Sequence, residues 1–155
     1  MDETLLATAY VMAQRGTCSR AQVGCVVALD GRILATGYNG APRGMAHCDH
    51  PDGVPSSQRP ADATMCQTSV HAEANAVAFA ARNGVSLDGS TVFTTLSPCN
   101  TCAQLLVNVG TRRVVVAAMY RDVRGVELLL HAGVTVDVLS EGATTTVQLD
   151  ERTEE

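Results

Sequence analysis

Five residues in two short motifs could together do hydrolytic chemistry at a metal. Pro98-Cys99-Asn100-Thr101-Cys102 places two thiols three positions apart, so on a helix both sulfurs lie on one face of the first turn. The spacing predicts Pro98 at the first helical position, where its missing N–H costs nothing. The partial positive charge of a helix start also lowers a thiol's pKa toward the thiolate that zinc binds. A Cys-x-x-Cys pair alone is shared with redox motifs and structural zinc sites. His71-Ala72-Glu73 narrows the choice, because it falls at another helix start with a strand between it and the cysteine pair. His71, Cys99 and Cys102 make three ligands and leave the fourth tetrahedral position for water, as in a catalytic zinc site. Glu73 is then free to carry protons beside that water. The opposing reading takes His71 and Glu73 as an exposed helix start and the cysteines as core. It leaves the coincidence of all five residues unexplained.

The elements that must position these residues follow from periodicity. Leu5, Leu6, Ala9, Met12 and Ala13 recur at helical spacing before Gly16, which predicts a helix over 3–15. The runs 23–29 and 32–38 read as strands joined by Asp30-Gly31, a dipeptide suited to the positive φ angles of a tight hairpin. Cys25, inside the first run, reads as an ordinary buried cysteine. From 39 to about 68 come four of the five prolines and no periodicity, the mark of a functional loop or of one that something ties down. Regularity then returns with a helix over 71–82 closed by Asn83-Gly84, a strand 91–95, a helix 98–109, a strand 113–119, a helix 123–131 and a strand 134–139. Strands alternating with helices imply crossovers and a largely parallel second half, hence an α/β fold. The length of 155 residues suits one domain. Residues 140–155, Thr-rich and then acidic, suggest an edge strand and a fraying tail.

Composition limits the partners. The net charge is −5, and every basic residue is Arg. That argues against wrapping a nucleic-acid backbone, which draws on clustered cations. No apolar run approaches the roughly 20 residues of a membrane span. The first residues begin with two acids and lack the basic start of a secretory signal, so the expected location is cytoplasmic. In that compartment six cysteines point to metal or catalysis rather than disulfides.

His-x-Glu followed by Pro-Cys-x-x-Cys is the signature of the zinc deaminases, and on it the chain resembles the cytidine deaminase superfamily. Gly37-Tyr38-Asn39-Gly40 followed by His47-Cys48-Asp49 is similar to its deoxycytidylate branch. The likeness also takes in Thr17-Cys18-Ser19-Arg20, Thr95-Leu96-Ser97 and Tyr120-Arg121-Asp122. It implies a three-layer α/β/α fold around a five-stranded mixed sheet. It also implies a zinc-dependent hydrolase that converts dCMP to dUMP and ammonia, supplying dUMP for thymidylate synthesis. A C5-modified dCMP or the free cytosine nucleoside is the alternative substrate. By resemblance, Asn39 would bond the deoxyribose, the backbone at Ala72 and Ser97 would face the pyrimidine edge, and Tyr120 would lie near the 5′-phosphate. Turn chemistry alone also accounts for Asn39-Gly40, and a strand end for Tyr120. A homo-oligomer, hexameric in the family, with dCTP and dTTP as effectors is implied in the same way.

The resemblance further implies a structural zinc. Bacterial and phage members hold one with cysteines matching Cys18 and Cys48, together with ligands just before the His-x-Glu motif, where Cys66 stands. They carry one more cysteine shortly after the His-Cys-Asp segment, and this chain has none. His50 is the candidate replacement, with His47 the other histidine in the segment. Such a site would also explain how so long a loop stays ordered. The bland alternative is unligated loop cysteines.

Overall fold

The computed structural model describes residues 1–48, 50, 66, 68–140 and 142–149. The acidic tail expected from 150 onward, Asp49 and most of the irregular segment lie outside the described residues. The elements run α1 Asp2–Ala13, β1 Gly24–Leu29, β2 Arg32–Tyr38, α2 Ala72–Asn83, β3 Thr91–Thr94, α3 Asn100–Asn108, β4 Arg113–Val116, α4 Arg124–His131, β5 Thr135–Ser140 and β6 Ala143–Thr146. Asp30 and Gly31 both take positive φ (49° and 76°) between β1 and β2, as the hairpin reading requires.

The sheet order is β2-β1-β3-β4-β5-β6. β1 is antiparallel to both β2 and β3, β3-β4-β5 are parallel, and β6 returns antiparallel on β5. The sheet therefore has six strands and not five. The extra one is the edge strand anticipated after residue 140, whose four residues are all exposed.

Alternation along the strands builds two cores. Cys25, Val27, Val92, Val114, Val116 and Val136 face α2, α3 and α4, while Val26, Phe93, Val115 and Leu139 face α1. The result is three layers, α/β/α. Close approach of α2 to the sheet requires Gly37, where a Cβ would collide with the Ala72 carbonyl. Among the described residues no helix is long and apolar enough to cross a membrane.

At the end of the parallel strands away from α2 and α3 starts, Arg113 ties three elements together. Its Nε donates to Asp137 Oδ2 on β5 (2.7 Å) and its second guanidinium arm to Asp2 Oδ2 on α1 (2.7 Å). Thr146 on β6 donates to Asp137 Oδ1 (2.6 Å). Asp137 is only 4% exposed, so its charge depends on these partners. We expect Asp137→Ala to destabilise the protein by about 3 kcal/mol and Asp2→Ala by less than about 1 kcal/mol, because both side chains of that pair are partly exposed, 30% and 35%. Chemical denaturation of the two variants checks this; equal effects would show that burial does not set the strength of the network.

Candidate active site

The two metal-binding motifs sit at helix starts, with one difference from the sequence reading. α3 begins at Asn100, so Cys99 is its N-cap and Pro98 precedes the helix. His71 is likewise the N-cap of α2. Both caps are extended (φ −71° with ψ 156° and 168°) and make no side-chain cap bond. The two helix starts, each with its partial positive charge, thus present His71 and Cys99 to one another. Cys102 joins them from the first turn of α3. The position of α3 is pinned from α4, since a Cβ on Gly125 would strike the Pro98 carbonyl.

His71 Nδ1 lies 3.4 Å from Cys99 Sγ and 3.5 Å from Cys102 Sγ, and the three ligating atoms fall within 4.8 Å of one another. A tetrahedral zinc with sulfur at about 2.3 Å and nitrogen at about 2.0–2.1 Å sets those atoms about 3.5 Å apart. The donor set therefore fits zinc in distance as well as type. Charge agrees. The neighbouring Cys102 thiol and His71 draw the Cys99 thiol down to about 4, while Cys102 is pushed up by the proton it shares with Cys99. Contact with Cys99 also raises the pKa of His71. Glu73, in the first turn of α2, is 4% exposed, and burial raises its carboxyl pKa.

These groups open on one cavity. His71, Ala72, Glu73, Cys99 and Ser97 line it, and Asn39 and Tyr120 line it too. Ser97 Oγ accepts the Tyr120 N–H (2.7 Å) and Ser97 N–H donates to the Ala118 carbonyl (2.9 Å), joining the loops that follow β3 and β4. The Asn39 amide is engaged twice with backbone, donating to the Ala21 carbonyl and accepting the Val23 N–H, both at 2.8 Å. Each of its polar atoms retains one further hydrogen-bonding position. Arg20 and Arg121 also line the cavity, with the Arg121 guanidinium 4.9 Å above the Tyr120 ring.

Sequence reasoning did not place Ala21, Val23, Ser69, Cys18 or Cys66 on this cavity, where all five lie. Cys18, Ala21 and Val23 are far from both motifs in sequence, and spacing carries no signal of their arrival; Cys66 and Ser69 stand five and two residues before His71. Cys25 is fully buried in β1, burial raises its thiol pKa, and it belongs to neither group of metal-binding residues.

A second group forms beside the first. Ligating atoms of Cys18, Cys48, His50 and Cys66 lie within 4.8 Å of one another, with Cys18 Sγ 3.5 Å from His50 Nε2. His50 and not His47 completes it. Burial, and then hydrogen bonds to Cys18 and Cys66, push the Cys48 thiol up to about 12. Burial opposes ionisation of Cys66 too, but N–H donors at Thr68 and Ser69 bring it net downward. Four soft donors at this spacing match a closed tetrahedral zinc site.

Comparison with known proteins agrees with this geometry. A deoxycytidylate deaminase of Mycobacterium phage D29 is 42% identical, over 74% of this chain and 91% of its own length. That of Enterobacteria phage T2 is 33% identical, over 76% and 79%. A crystal structure of a dCMP deaminase from cyanophage S-TIM5, in complex with dCMP and dUMP, superposes with a TM-score of 0.77 at 33% identity, covering 88% of this chain and 95% of that one. The family model for the cytidine and deoxycytidylate deaminase zinc-binding region matches residues 1–118. That span takes in both groups of ligands and Glu73, and the chain belongs to the cytidine and deoxycytidylate deaminase family.

Proposed function

We propose that this protein hydrolyses dCMP to dUMP and ammonia, with His71, Cys99 and Cys102 holding the catalytic zinc and Glu73 moving the protons. The observation that carries the reading is one cavity lined by the metal-binding His71 and Cys99, the buried Glu73 carboxyl, Tyr120 and two arginines. Zinc held by the three ligands would supply Lewis-acid activation of the attacking water near neutral pH. Glu73 takes the proton that this water gives up, delivers one to ring N3 and helps protonate the departing amine. Its raised pKa suits a group that must both accept and donate near neutrality. Ala72 and Ser97 line the same cavity and in this reading orient the pyrimidine edge. Asn39 has hydrogen-bonding capacity left for the deoxyribose.

A phosphate monoester carries about −1.5 to −2 charges, and a chain of net charge −5 must meet it with local cations. Arg20 and Arg121, with the Tyr120 hydroxyl, are the groups on the cavity suited to this. Arg43 does not line it. Cys18, Cys48, His50 and Cys66 hold a second, structural zinc in this reading. It further extends to a cytoplasmic homo-oligomer responsive to dCTP and dTTP. Exposed Phe79 on α2 and Leu105 on α3 support a subunit contact.

Two measurements test this function. Glu73→Gln should keep its metal and its fold but lose about a thousandfold or more in kcat; substantial residual turnover would contradict the proton role. Wild-type kcat/KM for dCMP should exceed that for deoxycytidine by roughly a hundredfold, since remote binding energy is used at the reacting carbon. Tyr120→Phe should narrow that gap and leave the slow nucleoside reaction unchanged. Equal efficiency on the two substrates in the wild type would make the enzyme a nucleoside deaminase.

A further inference from the structure

Deamination does not require the sulfurs of the second group, yet Cys18 and Cys66 line the same cavity as His71 and Cys99. Short stretches of backbone join those two sulfurs to the wall assigned to the sugar. Thr17, beside Cys18, donates its N–H to the Asn39 carbonyl (3.0 Å) and accepts the Ala41 N–H at Oγ1 (3.2 Å). Val70, four residues after Cys66, exchanges two backbone hydrogen bonds with Gly40, at 2.8 and 3.0 Å. Residues 39–41 are therefore gripped between the chain at Cys18 and the chain leaving Cys66. The grip is tight, since a Cβ on Gly40 would stand 2.6 Å from Thr17 Oγ1. Asn39 carries the constraint onward through its bonds to Ala21 and Val23, which line the cavity as well.

The catalytic ligands are anchored differently. His71 caps a helix whose Ala72 and Ala76 are fully buried against β2, and Asn75 Nδ2 donates to the Tyr38 carbonyl (2.8 Å). Cys99 and Cys102 belong to α3, held by α4. Neither of these anchors uses a residue of the second group; Val70, which belongs to the grip, adjoins His71, and the burial of α2 against β2 holds His71 independently of it.

We infer that the Cys18, Cys48, His50 and Cys66 centre sets substrate affinity: metal bound there holds Asn39, Ala21 and Val23 in place on the cavity they share with His71 and Cys99. Loss of that metal loosens the wall and leaves the catalytic ligands where they are. The inference rests on reading the group as a second metal centre, and deepens it.

The test combines zinc counting, steady-state kinetics on dCMP and amide hydrogen exchange on the full chain. Wild type should bind about two zinc ions per chain and His50→Ala about one. His50 does not line the cavity, but its removal should raise KM roughly tenfold with kcat within about twofold. Amides of Thr17, Gly40 and Val70 should exchange faster in the variant. Thr17→Val, which keeps both metals and removes one bond of the grip, should raise KM about threefold; it decides the matter alone if His50→Ala does not fold. A His50→Ala protein with one zinc and wild-type KM and exchange rates would overturn the coupling, as would Thr17→Val with an unchanged KM. A single zinc in the wild type would defeat the two-metal reading and the inference with it, and the count separates that failure from the other.

Discussion

Two helix starts must face each other across a few ångströms, and the rest of the molecule is arranged around that demand. The sulfurs of Cys99 and Cys102 lie 3.4 and 3.5 Å from the His71 ring, with the Glu73 carboxyl buried beside them. Thiolates and a carboxylate gathered out of water repel one another unless a cation joins them. Helix-start dipoles relieve part of that repulsion, and a divalent ion relieves most of it. Metal binding and the final packing of α2 against α3 are thus two aspects of one equilibrium.

The layers follow from this. α2, α3 and α4 share one face of the sheet, and the glycines at 37 and 125 let backbone approach backbone where the ligands need it. Among the described residues, α1 covers the other face through Leu5, Leu6 and Ala9. Chemistry occupies one end of the parallel strands, where the loops after β3 and β4 meet through Ser97 and Tyr120. Strength is concentrated at the other end, where Arg113, Asp137, Asp2 and Thr146 lock α1 and the last two strands together. In open α/β sheets ligand sites commonly lie outside the carboxyl ends of the strands.

Much of this was legible from residue types and spacing. The motifs at 71–73 and 98–102 single out His71, Cys99 and Cys102 as candidate ligands because zinc chemistry restricts both type and interval. The helices and the hairpin follow from apolar periodicity and from Asp30-Gly31. Legibility failed where tertiary contact decides. Pro98 suits a first helical turn by its fixed φ, yet the helix begins two residues later because Cys99 takes the cap. The edge strand after residue 140 was legible only from its Thr-rich composition, since Ala143–Thr146 has no buried face to mark it, and the five-strand count implied by the resemblance leaves it out. Asn39 reads as a hydrogen-bonding residue, but its ties to Ala21 and Val23 depend on how β1 and β2 are closed. That Cys18 reaches the cavity beside Cys66 and His71 follows from the return of the chain over some fifty residues, which no local pattern encodes.

The ligand shell of the metal is the most direct test of this account. X-ray absorption at the zinc edge of the fully loaded protein should show sulfur at about 2.3 Å, averaging about two and a half sulfurs per zinc, with the remainder nitrogen or oxygen near 2.0 Å. That average combines a His71-Cys99-Cys102 site carrying one non-protein ligand with a Cys18-Cys48-His50-Cys66 site carrying none. A shell of nitrogen and oxygen alone, or one of four sulfurs at every zinc, would contradict the assignment of both centres.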